Sequence, residues 1–193
     1  MGKSIVVSAT PERLSIAKAQ MQGQDRDRIF SLPFIRGLVL NFLPDLQIIQ
    51  PQSPPANVTF EVVERDEIVK LCEINGFDNA LIYDPASPMT NDLVVTARQQ
   101  DGTILGMAGS CHMGVKLRPI GIDVLPEYRH CGLAASLVNS LTFELLHRGY
   151  VPYYNTVSSN IASQRVAHRA GYYVAWVSDH HCNFEGLESS LSE

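Results

Sequence analysis

What the chain has little of narrows its function before any motif is read. None of its 193 residues fall in a run of about 18 uninterrupted apolar positions, the length a membrane span needs, and its amino terminus shows no basic stretch followed by an apolar one. The sequence is therefore expected to describe a cytoplasmic protein without a signal peptide. Cysteine is sparse: Cys72, Cys111, Cys131 and Cys182 lie far apart, which is neither a disulfide framework nor a zinc-ligand spacing. Reduced thiols and no metal are the expectation. Positive charge is also short, with 15 Lys and Arg against 20 Asp and Glu, a net charge of −5. This argues against nucleic acid or an anionic membrane as a partner and confines any phosphate site to one local feature. No G-x-G-x-x-G follows a strand, which disfavours a dinucleotide-binding domain. Gly2-Lys3-Ser4 lacks the upstream glycine and strand of a P-loop, and Val6 stands where myristoylation favours Ser or Thr.

Apolar residues are plentiful. At 45% hydrophobic and 18% charged, the chain can bury a full core as one domain with an extension. Thr10-Pro11-Glu12 starts a helix through about Met21, with Thr10 as cap and Pro11 at the first helical position. Ile29, Phe30, Leu32, Phe34, Ile35, Leu38, Leu40 and Phe42 then form an apolar cluster that must pack on something. The Pro-rich stretch Gln50 to Ala56 is the best candidate for a boundary, dividing a helical amino-terminal extension (1–56) from the main domain (57–193).

Beyond it, strands are expected at 58–63, 93–97, 104–113, 118–125, 151–157 and 172–176. Helices are expected at 66–72, 132–147 and 161–170, giving an α/β order with a mixed sheet. Gln100-Asp101-Gly102 is a hairpin turn signal between two of the strands.

The most informative segment joins the strand ending at Leu125 to the helix that follows. Arg129-x-x-Gly132-x-Ala134 places a cation, a residue without a side chain and a small residue where strand turns into helix, so that backbone N–H groups and the helix dipole face one anion. A diphosphate is the natural guest. The pattern resembles the acyl-CoA-binding motif of the GNAT superfamily of N-acetyltransferases. Asn160-Ile161-Ala162-Ser163, Val166-Ala167 and Ala170-Gly171-Tyr172 resemble the next helix of that superfamily, in the right order. Pro152-Tyr153-Tyr154-Asn155-Thr156 beside Gly121-Ile122-Asp123-Val124 is similar to a little-characterised bacterial-type subgroup.

The resemblance covers residues from about Val58 onward and implies a mostly antiparallel sheet splayed between its fourth and fifth strands, 118–125 and 151–157. Acetyl-CoA would enter the wedge as a co-substrate. The backbone of Ile122 and Val124 would pair with the pantetheine amides, and Arg129, His130, Gly132, Leu133 and Ala134 would wrap the pyrophosphate. Asn160 and Ser163 would line the wedge, with Asn160 also able to cap its helix. Arg165 and Arg169 could reach the nucleotide phosphate or simply be solvated.

Acetyl transfer asks for a positioned thioester, a deprotonated amine, an oxyanion donor and an acid for the leaving thiolate. By resemblance the Val124 N–H is the oxyanion donor. The Tyr that many members carry as acid is replaced by Ala167, which leaves Tyr153 and Tyr154, of which only one can line the site. Tyr154 is favoured. Arg118 occupies the place of a carboxylate base in some relatives, so Asp123 and His112 are the remaining base candidates. Asp123 serves if buried without a partner, while backbone-bonded structural roles and a water relay stay open. The expected activity is transfer of an acetyl group to a primary amine on a small molecule or peptide; the alternative is an acyl-CoA-binding sensor without turnover. The amino-terminal third is expected to shape the acceptor site or a subunit contact, as in a homodimer. His180-His181-Cys182 is not a preformed metal site, because neighbouring strand residues face opposite ways.

Overall fold

The computed structural model describes residues 10–25, 28, 29, 32, 38–82, 90–112 and 115–179. The chain divides into two units, Met1–Leu38 with Asp179–Glu193, and Val39–Ser178. In the first, helix α1 (Pro11–Met21) starts at the expected proline, but Thr10 makes no side-chain capping bond. Ala17 and Met21 of α1 bury themselves with Ile29 and Leu32. Phe30, Phe34, Ile35 and the His180-His181-Cys182 triplet fall outside the described residues.

The second unit is built on one seven-stranded sheet. Its strands are β1 (Leu38–Pro44), β2 (Val58–Glu64), β3 (Asn91–Gln99), β4 (Ile104–Cys111), β5 (Leu117–Val124), β6 (Val151–Val157) and β7 (Tyr172–Asp179). The spatial order is β2-β3-β4-β5-β6-β1-β7. Neighbours from β2 to β5 pair antiparallel, as do β1 and β6, whereas β5 and β6 run parallel. Among the described residues three helices accompany the sheet: α2 (Asp66–Leu71), α3 (Leu133–His147) and α4 (Ile161–Arg169).

Both faces of the sheet are covered, which explains why β3 and β4 read as continuous apolar runs instead of alternating ones. On one face Val95, Leu105, Ala108 and Ile120 pack with Leu137, Leu141 and Leu145 of α3 and Ala167 of α4. On the other, Val94, Ile104 and Met107 pack with Ile68 and Leu71 of α2 and with Phe77, Ala80 and Leu81. The hairpin between β3 and β4 turns at Gly102, in the left-handed region (φ +88°) that glycine adopts without strain. Asp101 accepts the Thr103 N–H at 2.9 Å and fixes the turn.

Two observations revise the reading of the amino-terminal third. The apolar run ending at Phe42 is not only an extension, because β1 lies inside the sheet between β6 and β7 and Phe42 is fully buried opposite Tyr154. The Pro-rich stretch is no loose linker. Asn139 of α3 donates to the carbonyls of Gln50 and Ala170 and accepts the Gln52 N–H at 2.9 Å. The compact unit spans Val39–Ser178. Among the described residues no helix is long and apolar enough to cross a membrane.

Candidate functional site

The site grows from a failure of pairing. The parallel ladder between β5 and β6 runs Leu117 to Val151, Arg118 to Pro152, Pro119 to Tyr153 and Ile120 to Tyr154, and stops there, although both strands continue. Beyond it the two strands leave a gap. Which atoms line it follows from alternation: the Lys116 carbonyl accepts from Val151, toward β6, while the Leu125 N–H donates to Leu105, toward β4. Residues two apart along a strand present their N–H and C=O to the same side. Ile122 and Val124, two and four residues past Ile120, therefore turn their backbone polar groups into the gap.

The gap leads to the start of α3. A short turn of helix, Pro126–Tyr128, carries the chain to Gly132, which caps α3 in the left-handed region at φ +89°. The first bonds of α3 are Ala135 and Ser136 N–H to the Gly132 carbonyl. Leu133 and Ala134 donate to no carbonyl within the helix, as the geometry of a helix amino terminus requires. A side chain at Gly132 would meet no atom within 4 Å, so the space before these amides is open. His130 is also left-handed (φ +68°) and exposed. Leu133 points its side chain into the core at 2% exposure, so only its amide is available here. Arg129 is exposed, and its Nε donates to the Val124 carbonyl at 2.9 Å. The cation is thus tethered where the gap meets the helix start, a link that sequence reasoning did not find.

On the helical face, three expected residues form one chain of bonds. Asn160 caps α4, its Oδ1 accepting the Ser163 N–H at 3.2 Å, and the Ser163 hydroxyl shares a hydrogen bond of 2.6 Å with the Tyr154 hydroxyl. Tyr154 is 2% exposed, edge-on to Phe42 and Tyr172. Burial raises its pKa, opposed by the Ser163 bond and assisted by the negative charge of Asp123. The phenol therefore keeps its proton at neutral pH. Tyr153 points to the other face, beside Trp176 with ring centroids 6.1 Å apart. Ala167, at the position of the usual acid, is buried, and His168 sits edge-on to Phe42. Arg165 and Arg169 are exposed on α4.

Neither base candidate is unpartnered. Asp123 accepts the Asn79 and Ala80 N–H groups on Oδ2, at 2.7 and 2.9 Å, and the Asn79 Nδ2 on Oδ1 at 2.7 Å. The condition attached to Asp123 as a base, burial without a partner, is not met: its carboxylate is a clamp on the chain. His112 has Nδ1 at 3.0 Å from Arg118 Nη2. Since a guanidinium only donates, that nitrogen accepts. Arg118 itself is 1% exposed, paired with Asp92 at 3.1 Å and stacked 3.9 Å from the Tyr150 ring centroid.

Sequence reasoning missed the partner of Asp123. Gly109 and Gly121 face each other across β4 and β5, and a Cβ on either would lie 1.9 Å from the Ala80 carbonyl oxygen or 1.8 Å from that of Asn79. The glycines open a slot in which the backbone of 79–80 lies flat on the sheet. Asn91 completes it, donating to the Ala80 carbonyl and accepting the Ile82 N–H. Two glycines inside apolar strands were the available signal, since glycine there marks a close backbone approach.

A cleft of about 520 Å³ bordered by Leu43, Leu46, Leu146 and Tyr173 reaches Val151 and Pro152, the end of β6 away from the gap. Among the described residues no group of three or more His, Cys, Asp and Glu side chains converges as a metal site.

The architecture recurs in solved structures. An acetyltransferase from the GNAT family of Colwellia psychrerythraea superposes with a TM-score of 0.54 at 14% identity, over 79% of this chain and 58% of that one. A GCN5-related N-acetyltransferase from Kribbella flavida gives 0.54 at 21%, over 75% and 56%. A GCN5-related N-acetyltransferase-like protein from Streptococcus suis gives 0.54 at 16%, over 74% and 61%. The chain spans less than two thirds of the length of each, and at these identities the likeness is one of fold. No curated protein matches the sequence. The sequence pattern of the acetyltransferase (GNAT) family matches residues 64–172, which include β5, the helix start at Gly132 and the Asn160 cap. With its strands splayed beyond Ile120 and a glycine-led helix at the mouth of the gap, the chain belongs to the GNAT acetyltransferase family.

Proposed function

We propose that this protein transfers an acetyl group from acetyl-CoA to a primary amine. The observation that carries the reading is the gap between β5 and β6 with Ile122 and Val124 turned into it and the open amides of α3 at its mouth. A pantetheine arm has amides that pair with a free strand edge, and the diphosphate at its end suits a helix start. In this arrangement the Ile122 N–H and C=O hold the arm, and the Leu133 and Ala134 amides with Arg129 hold the diphosphate. The Val124 N–H faces the thioester carbonyl as oxyanion donor.

The amine nitrogen attacks the thioester carbon, the carbon–sulfur bond breaks, and the thiolate leaves with the electron pair. The amine proton passes to solvent. Asp123 and His112 are both engaged, so the amine arrives deprotonated through water instead of losing its proton to a side chain. Tyr154, held protonated by burial, lends a hydrogen bond near the leaving sulfur and Ser163 keeps it in place. Most of the rate comes from positioning.

Calorimetric titration with acetyl-CoA tests the reading. Wild-type binding that weakens by about tenfold or more in Arg129→Glu, as loss of a charge-assisted contact predicts, supports it. Absence of wild-type binding overturns it. A second reading, an acyl-CoA-binding module without turnover, draws on the buried Ala167 and the two engaged base candidates. Repeated thiol release in the presence of a primary amine decides against that reading, and binding without such release decides for it.

A further inference from the structure

A second opening in the sheet lies at the other end of β6, where it meets β1. The antiparallel ladder between these strands runs from Val39 opposite Val157 to Phe42 opposite Tyr154 and ends there, although β1 continues to Pro44 and β6 begins at Val151. Carried two residues further, the same register sets Pro44 against Pro152. Val151 donates its N–H to the Lys116 carbonyl, on the β5 side, so by alternation residue 152 turns its backbone toward β1. The Pro44–Pro152 position is thus one where each residue would donate to the other, and proline has no N–H to give. The two strand ends border the cleft of about 520 Å³ instead, with Leu146 of α3 and Tyr173 of β7 as further walls.

One carboxylate stands at this cleft. Asp45 follows Pro44, and its backbone is pinned: its N–H donates to the Gly171 carbonyl at 2.9 Å, and its own carbonyl accepts the Ile48 and Ile49 N–H groups at 3.1 and 2.8 Å. Its Oδ1 accepts the Gln47 N–H at 3.0 Å, whereas among the described residues nothing donates to Oδ2. None of the described residues that line the cleft is a lysine, arginine or histidine. A carboxylate is therefore held in place without a counter-charge, beside apolar walls and the half-exposed ring of Tyr173.

We propose that this cleft is a second binding site, separate from the gap between β5 and β6, and that it takes an organic ammonium ion carrying an apolar group. The apolar group packs among Leu43, Leu146 and Val151, and the ammonium faces Asp45, with the Tyr173 ring offering the surface that aromatic residues present to cations. The two openings differ in the charge they receive. Backbone amides at the start of α3 suit an anion, while a carboxylate between apolar walls suits a cation. No residue of the β5 side of the gap borders the cleft, so this inference stands apart from the acetyl-transfer reading.

The probe is benzyltrimethylammonium, whose nitrogen carries no hydrogen and so cannot receive an acyl group. Calorimetry reads its affinity, and the methyl resonances of leucine and valine in carbon-labelled protein read its place. A Kd of about 1 mM or tighter is expected, the strength that about eleven non-hydrogen atoms reach at ordinary efficiency, with shifts at Leu43, Leu46, Leu146 and Val151. Asp45→Asn keeps an oxygen for the Gln47 N–H and should hold the turn while weakening the probe by about tenfold. Tyr173→Ala, at a half-exposed position, should weaken it by about threefold. The anion 3-phenylpropionate, of similar size, should leave these methyls unmoved. Absence of probe binding, shifts confined to other methyls, equal affinity in Asp45→Asn with unchanged thermal unfolding, or equal binding of 3-phenylpropionate each overturn the proposal. If Asp45→Asn does not fold, Tyr173→Ala and the comparison of cation with anion decide it.

Discussion

Tyr154 and Tyr172 show how single residues carry a pH signature. Both are buried, and burial pushes both phenols above the usual tyrosine value, more strongly for Tyr172, whose hydroxyl is bonded to Thr142 at 2.5 Å. A group whose folded pKa is raised stabilises the fold fully below its unfolded pKa and loses that contribution as pH rises through the folded one. Stability should therefore be insensitive to these tyrosines at neutral pH and fall above about pH 10, by up to about 1.4 kcal/mol per pH unit for each. Urea unfolding between pH 8 and pH 11, compared with the Tyr172→Phe variant, checks this, and the variant should show a shallower decline. Arg118 makes a second prediction at this scale. Its guanidinium is almost fully buried between Asp92 and Tyr150, so Arg118→Leu leaves Asp92 and the His112 Nδ1 without their donor. With Asp92 about a third exposed, a loss near the lower end for broken buried pairs is expected, about 3 kcal/mol by denaturant unfolding.

At the scale of elements, glycines decide where backbone meets backbone. Gly109→Ala puts a methyl 1.9 Å from the Ala80 carbonyl oxygen, so either the backbone of 79–80 or β4 must move. A loss of about 2 kcal/mol is expected, together with faster hydrogen exchange across residues 79–82. Gly132→Ala differs in kind. Its Cβ has room, and only the left-handed backbone resists it, so the expected cost is about 1 kcal/mol. That methyl would occupy the space in front of the α3 amides, and acetyl-CoA affinity should fall by more than stability does. Calorimetry and thermal unfolding on the same variant separate the two effects.

At the scale of the whole molecule, β1 is the element that completes the sheet. It supplies the neighbour of both β6 and β7 and puts Phe42 behind Tyr154. Removal of residues 1–44 is expected to leave two unpaired strand edges and a hole in the core, and so to give an aggregating protein instead of a smaller enzyme. Circular dichroism and size-exclusion chromatography of the shortened chain test this; a folded, acetyl-CoA-binding product would contradict it. The milder Phe42→Ala should cost about 3 to 5 kcal/mol while leaving the strand in place.

The local part of this architecture was legible in the sequence. The strand, short turn and helix from Leu117 to His147, the hairpin at Gly102 and the cap at Asn160 depend on residues close along the chain, whose turn and capping chemistry marks them directly. That is why the helix start was expected at Gly132 and Ala134, whereas the gap at Ile122 and Val124 was expected only from the family resemblance. The clamp of Asp123 on Asn79, 44 residues away, carried no such mark, and neither did the insertion of β1. An apolar run such as Leu38 to Phe42 says only that it must be buried, and Asp123 says only that it needs donors. Which strand receives the run, and which amides reach the carboxylate, are settled when distant segments compete for the same surface. By itself the sequence determined the elements from Val58 onward, the family resemblance and the glycine-led helix start. Tertiary structure alone decided that the amino-terminal strand closes the sheet and that Asp123 serves as a clamp, because each depends on pairing between segments distant along the chain.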